Sequence, residues 1–158
     1  MTKIWIDADA CPIAVKEIVF KASARTKTEV IMVANSMMRT AKSPLVKLIV
    51  VDKGADVADA YIEEHCTPDD LIITADIPLA DLIVKKGAAA INPRGRVYTE
   101  ASIKEALSMR NFVEDLRSSG MVSGGPPPIN QKDVQAFANG FDRVLTQTLA
   151  KFARKKKT

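Results

Sequence analysis

An apolar, β-favouring run that stops at two carboxylates and restarts as a helix is the feature that most constrains this chain. Lys3 to Pro12 reads K-I-W-I-D-A-D-A-C-P, where Ile4, Trp5 and Ile6 form the run, Asp7 and Asp9 end it, and Pro12 opens a helical pattern. Ile13, Val15, Ile18, Val19 and Ala22 then give one apolar stripe. This is a strand-turn-helix junction. In an open parallel α/β sheet, such junctions at the carboxyl ends of strands line the crevice where ligands bind.

Strand-like and helix-like segments go on alternating. Glu29 to Ala34, Val46 to Val51, Leu71 to Thr74 and Ala88 to Ile91 are short apolar runs suited to buried strands. Ala55 to His65 and Ile77 to Lys86 have helical spacing, the second with Gly87 at its stop. Thr99 and Ser102 offer alternative caps for a helix to about Ser119, with Ile103, Ala106, Leu107, Phe112, Val113 and Leu116 facing the core. A last helix over roughly Asn130 to Ala153 aligns Val134, Phe137, Phe141, Val144, Leu145, Leu149 and Phe152. Met37 to Pro44 reads as an exposed basic loop, and Asn92 to Arg96 as a turn with two guanidinium groups.

The economical fold is α/β: a three-layer α/β/α sandwich with a mainly parallel five-stranded sheet, plus C-terminal helices. At 158 residues the chain closes one substantial core and leaves little room for a second. The expected organisation is an α/β domain over residues 1–119, a Gly/Pro-rich connector over 120–129, and a C-terminal helix with a basic tail over 130–158 packing on the same domain.

Several chemistries are disfavoured. A single histidine, His65, argues against a zinc site or a His-based triad. Cys11 and Cys66 lie far apart and read as reduced thiols. No apolar run approaches the roughly 20 residues a membrane helix needs, and no signal-peptide pattern opens the chain, so the cytoplasm is the expected location. Charge is divided unevenly: residues 1–100 carry 13 basic and 14 acidic side chains, residues 101–158 carry 10 and 5. That split suits an anionic partner such as nucleic acid.

Right-handed crossovers bring the strand ends to one edge. Asp7, Asp9, Asp52 and Asp76 would share it, with Asp56 and Asp59 just inside the helix after the third strand. Two carboxylates about 4 Å apart repel by ~4 kcal/mol at an effective dielectric of 20, so such a cluster needs compensation. Mg²⁺ or Mn²⁺, which prefer oxygen ligands, would supply it without His or thiolate.

The motifs D-A-D-A-C-P at 7–12, T-A-D-I-P-L-A at 74–80 and N-P-R-G at 92–95 resemble the YaiI/YqxD family of bacterial proteins. The resemblance runs over nearly the whole chain, including the G-G-P-P-P connector and the Phe-rich last helix. That family is in turn similar to the PIN-like (NYN-like) nucleases, whose acids at one sheet edge bind Mg²⁺ or Mn²⁺ for RNA cleavage. Carried over by position, the resemblance implies Asp7 as the first acid and Asp76 as the later one, with Asp9 and Asp81 as neighbours. The middle acid is Asp56 or Asp59. It also implies a ribonuclease-like hydrolase acting on RNA more than DNA.

Arg39, Arg94 and Arg96, with Arg110 and Arg117 behind them, are candidates for neutralising substrate phosphates. Aromatic content is 5% and sits mostly on core-like stripes, so base stacking is not expected. Two rivals use the same scaffold. A haloacid-dehalogenase-like phosphatase also begins D-x-D, but Pro12 leaves no room for its flap. A non-catalytic RNA-binding or adaptor module would need the arginines and not the acids.

Overall fold

The computed structural model describes every residue except 55, 122, 123, 125, 126, 157 and 158. Among the described residues, six strands and five α-helices follow in the order β1 (Lys3–Asp7), α1 (Ile13–Thr26), β2 (Glu29–Ala34), β3 (Val46–Val50), α2 (Val57–His65), β4 (Leu71–Ile73), α3 (Ile77–Lys86), β5 (Ala89–Ile91), β6 (Val97–Tyr98), α4 (Glu100–Ser118) and α5 (Gln131–Lys156). The sheet order is β3-β2-β1-β4-β5-β6, parallel throughout except for β6.

Strand periodicity decides the layers. Successive side chains of β1 point to opposite faces. Ile4 and Ile6 therefore join Val15 and Val19 of α1 and Phe137 and Phe141 of α5 in one apolar cluster. Trp5 joins Ile62 of α2, Leu79 and Ile83 of α3, and Ile103 and Ala106 of α4 in the other. The three-layer α/β/α sandwich is the observed architecture.

The order places a topological switch between β1 and β4. From β1 the chain winds outward through β2 and β3, then returns to start β4 on the other side of β1. The flanking crossovers diverge there, which opens a crevice beyond the carboxyl ends of these two strands. Asp7 ends one of them.

Three local features depart from the sequence reading. The sheet has a sixth strand, only two residues long, which the Asn92–Arg96 turn folds back antiparallel on β5. Two residues are too few to show a period. Phe112, expected to face the core, is exposed. Thr99 and Ser102 are not alternatives: Thr99 is the N-cap of α4 and Ser102 closes a capping box with it, Ser102 N donating to Thr99 Oγ1 and Thr99 N to Ser102 Oγ.

The 120–129 connector reaches beyond the described residues at 122, 123, 125 and 126, and the basic tail at Lys157. The described part of the tail continues α5 to Lys156. Lys155 contacts Asp69 at 3.0 Å, just before β4 begins. The cationic end of α5 therefore lies at the amino edge of the sheet, opposite the strand-end acids. Among the described residues, no helix is long and apolar enough to cross a membrane.

Candidate metal centre

Three elements deliver the acids. β1 carries Asp7 to the switch point. After β4, Asp76 caps α3: its Oδ1 accepts from Leu79 N at 2.8 Å, which satisfies one of the donors a helix start leaves unpaired. That bond occupies one carboxylate oxygen. The third element is α2, whose N-cap Asp56 stands in the left-handed region at φ 65 and whose first turn carries Asp59. Asp56 makes no side-chain capping bond there. Its carboxylate is left for the crevice, where positions i and i+3 share a helix side.

Asp56, Asp59 and Asp76 each offer an oxygen lying within 4.8 Å of the other two. Asp7 is close enough to act electrostatically on Asp59. The sequence left Asp56 and Asp59 as alternatives, and the fold brings both to the group.

Thr74 ties the two strand-end acids together. Its hydroxyl donates to Asp7 Oδ2 at 3.2 Å and accepts from Asp76 N at 3.0 Å. It is 1% exposed, so its rotamer is fixed by the surrounding core. No role had been assigned to Thr74 from the sequence. The signal was there in T-A-D, a hydroxyl two residues before an acid at a strand end.

The crowding has an electrostatic consequence. Burial, a hydrogen bond with Asp76 and the charges of Asp76, Asp7 and Asp56 push the Asp59 carboxyl up to about 7. Asp7 is raised too, chiefly by burial and further by Asp76 and Asp9, with the Thr74 hydrogen bond opposing. Among the described residues, no lysine or arginine forms an ion pair with Asp7, Asp56, Asp59 or Asp76.

The other predicted acids have partners of their own or face solvent, Asp9 while still acting on Asp7 by its charge. Asp9 is exposed, and its Oδ2 accepts from Asn35 N at 2.8 Å, fastening the turn after β1 to the end of β2. Asp81 pairs with Lys85 at 2.8 Å one turn along α3. Asp52 is exposed after β3.

The arginines divide in a similar way. Arg110 lines the open hollow of about 410 Å³ that holds Asp56, Asp59 and Asp76. Arg96, Arg110 and Arg117 line the adjoining one, which also reaches Asp76. Arg94 turns away: it donates to Asp133 at 2.6 Å and to the Pro127 carbonyl, latching the β5–β6 turn onto the start of α5. Gly95, at φ 93, lets that turn approach so closely that a Cβ would sit 2.5 Å from the Ala136 backbone. The N-P-R-G motif is thus a docking device. Arg39 lies exposed on the 37–44 loop.

His65 closes α2, its Nδ1 2.8 Å from Tyr61 O and its ring stacked on Tyr61. Both cysteines are buried and free, and burial pushes the Cys11 thiol up to about 12, which leaves it a poor nucleophile.

The model of the uncharacterized BCR, YaiI/YqxD family matches residues 5–147. A UPF0178 protein of Hydrogenovibrio crunogenus is 53% identical over 91% of this chain and 95% of its own length. UPF0178 proteins of Shewanella baltica and Dechloromonas aromatica are 54% and 52% identical, each over 92% of this chain and 97% of their own lengths. No solved structure matches at comparable stringency.

Proposed function

For a chain that belongs to the YaiI/YqxD family, with acids gathered at the switch point of its sheet, we propose divalent-metal-dependent hydrolysis of phosphodiester bonds in single-stranded RNA. The observation that carries this reading is the convergence of half-buried Asp7, Asp59 and Asp76, with Asp56, unpaired by any described cation. Solubility does not account for it, since surface acids gain nothing by meeting where they repel.

The donor set fits Mg²⁺ or Mn²⁺. It is all carboxylate oxygen, open on one side, and raised Asp59 marks a centre short of positive charge. Asp56, Asp59 and Asp76 would hold the ion, with Asp7 beside them. When bound, such an ion lowers the pKa of a coordinated water and neutralises charge on the phosphate.

The chain's own groups supply the rest. Thr74 fixes the spacing of Asp7 and Asp76. Asp7 keeps Oδ1 clear of the Thr74 bond, where it can accept the proton of an attacking water. Arg110 at the rim and Arg96 beyond it can take the phosphate oxygens. A phosphatase of the haloacid dehalogenase kind is less well served. Residues 8–12 lead directly into α1 with no flap, and Asp9, its acid/base, is engaged with Asn35.

The test is turnover of single-stranded RNA by the full chain in Mn²⁺. Asp7→Asn and Asp76→Asn should each lower the rate at least about 100-fold, the usual scale for removing an acid–base or charge-stabilising group. Unchanged rates in both variants would defeat the reading. RNA binding without cleavage in either metal would select the adaptor alternative.

A further inference from the structure

Asp9 is the acid of the D-A-D motif that the metal centre does not use. It stands in the short turn after β1, and its Oδ2 accepts from Asn35 N at 2.8 Å. Asn35 is the first residue past β2, so this bond clamps the start of the loop that joins β2 to β3. Residues 35–45 contain no helix or strand, yet the loop is fixed at two further places. Met38 packs against the core cluster that includes Val15 and Val19 of α1, with Lys16 Nζ 3.4 Å from its Sδ. At the far end the Ser43 carbonyl accepts from Val46 N at 3.2 Å and the Ser43 hydroxyl from Leu45 N at 3.2 Å. Between these fixings Arg39, Thr40 and Lys42 are exposed.

The loop is cationic without compensation. Between Glu29 and Asp52 the sequence holds Arg39, Lys42 and Lys47 and no acid. Lys47 pairs with Glu29 at 3.4 Å, whereas among the described residues Arg39 and Lys42 form no ion pair. Its place is the acidic edge of the sheet. Asp7 lies opposite Val33 in the β1–β2 register, so the loop leaves the sheet just beyond the partner of Asp7 and one strand spacing, about 4.8 Å, to the side. Lys16 belongs to the same edge, since Cys11 feels both its charge and that of Asp7.

We propose that Asp9 is a positioning residue whose bond to Asn35 holds the 35–45 loop at the acidic edge, so that Arg39 and Lys42 bind the phosphates of single-stranded RNA on the β2 side of the metal centre. This rests on the reading of that centre as a phosphodiester site. A loop already fixed at its start, middle and end gives up less conformational freedom on gripping a strand than a free one does. Phosphates suit its chemistry: two uncompensated cations accompany one large exposed apolar side chain, Met37, whereas a protein interface has a larger, charge-depleted core. The bond needs only an oxygen that accepts from Asn35 N. An asparagine at position 9 supplies one, but would not replace the carboxylate of a metal ligand.

Binding in chelator separates this role from hydrolysis. The full chain is titrated with fluorescent oligouridylate over a series of salt concentrations. Asp9→Asn should bind at least as tightly as the native chain, and Asp9→Ala about five-fold more weakly than Asp9→Asn, the scale of one hydrogen bond. Both variants remove the Asp9 charge that acts on Asp7, so their difference reports the bond alone. Arg39→Gln should reduce the slope of log K against log salt by about 0.7. In an Arg39→Gln/Lys42→Gln background, Asp9→Ala should add nothing. Trypsin reads the loop directly, cutting after Arg39 and Lys42 faster in Asp9→Ala than in Asp9→Asn or the native chain. In Mn²⁺, Asp9→Ala should have a KM for RNA about five-fold above that of Asp9→Asn at equal kcat.

Equal RNA affinity and equal nicking in the Ala and Asn variants would overturn the positioning role even if the native chain cleaves RNA in Mn²⁺. Loss of kcat in both, with a weaker shift of the melt by Mn²⁺, would overturn it in favour of Asp9 as a metal ligand. No binding of RNA by the native chain would overturn it outright. An affinity difference between the two variants, without cleavage in Mg²⁺ or Mn²⁺, would uphold the loop and defeat the hydrolase reading.

Discussion

The two ends of β4 carry acids in opposite circumstances. Before the strand, Asp70 is 1% exposed and accepts from Lys3 N at 2.9 Å, Trp5 Nε1 at 3.0 Å and Thr67 N at 2.8 Å. After it, the acids around Asp76 face one another across a few ångströms. The fold built a full set of donors for one carboxylate and left the others to repel. A buried acid that serves structure is surrounded by N–H groups, because an unsatisfied one costs too much to keep. Asp7 and Asp76 each accept one bond, from Thr74 Oγ1 and Leu79 N, and Asp56, Asp59 and Asp76 still face one another unpaired by any described cation.

Mutation should separate the two ends most sharply through stability. Asp70→Ala strands three donors, two of them backbone, in or near the core. At about 1 to 3 kcal/mol for each orphaned group, partly relieved by water, the loss should be about 3 kcal/mol or more. That is about 10 °C in Tm for a chain of this size. A native-like urea midpoint for this variant would erase the distinction between the two ends.

Mn²⁺ should act at the other end. At a free concentration 100 times its Kd it should stabilise the native chain by about 2.7 kcal/mol, and Asp76→Asn or Asp59→Asn should remove most of that gain. Differential scanning fluorimetry across a Mn²⁺ series reads it directly. An equal gain in all three proteins would place the ion elsewhere.

Without metal, Asp59→Asn should stabilise the chain near pH 8 by about 1 kcal/mol, the repulsion of two carboxylates about 4 Å apart in near-aqueous surroundings. The effect should depend on pH with a definite sign. Folded Asp59 keeps its proton up to about 7, whereas an unfolded aspartate loses it near pH 4. The folded chain binds the extra proton between those values, so its advantage is complete below about pH 4 and lost as pH rises through about 7. Asp7 adds to the same trend. The Tm of the native chain should therefore fall relative to Asp59→Asn between pH 5 and pH 8. A parallel pair of curves would show that the acids do not interact.

The smallest effect is expected where an acid is neither crowded nor buried. Asp142 on α5 meets Arg25 of α1 at 3.0 Å with both side chains largely in solvent. Arg25→Ala should change stability by no more than about 0.5 kcal/mol. A larger stability change would mean that this pair, too, belongs to the architecture.

Much of this was legible in the residues. β1, the break at Asp7 and the start of α1 were visible because a run of β-favouring residues followed by acid and proline has one economical local solution. The alternation of five strands with helices gave the layered fold and put acids at one edge. The short β6 was not legible, since two residues carry no period. Phe112 was misplaced because it stands nine residues from Ile103, half a turn round α4, while Val113 and Leu116 remain half-buried on the inner side.

The sequence by itself determined which segments other than β6 are strands and helices and which acids stand at their ends, because those properties depend on neighbours a few residues away. Tertiary structure alone decided that Asp56 and Asp59 join Asp76 while Asp9 and Asp81 find other partners, that Thr74 bridges two acids, and that Arg94 latches α5 while Arg96 lines a hollow beside Asp76. Those choices depend on distances between elements, set by sheet order and by how helices dock across it, and no local pattern records such distances.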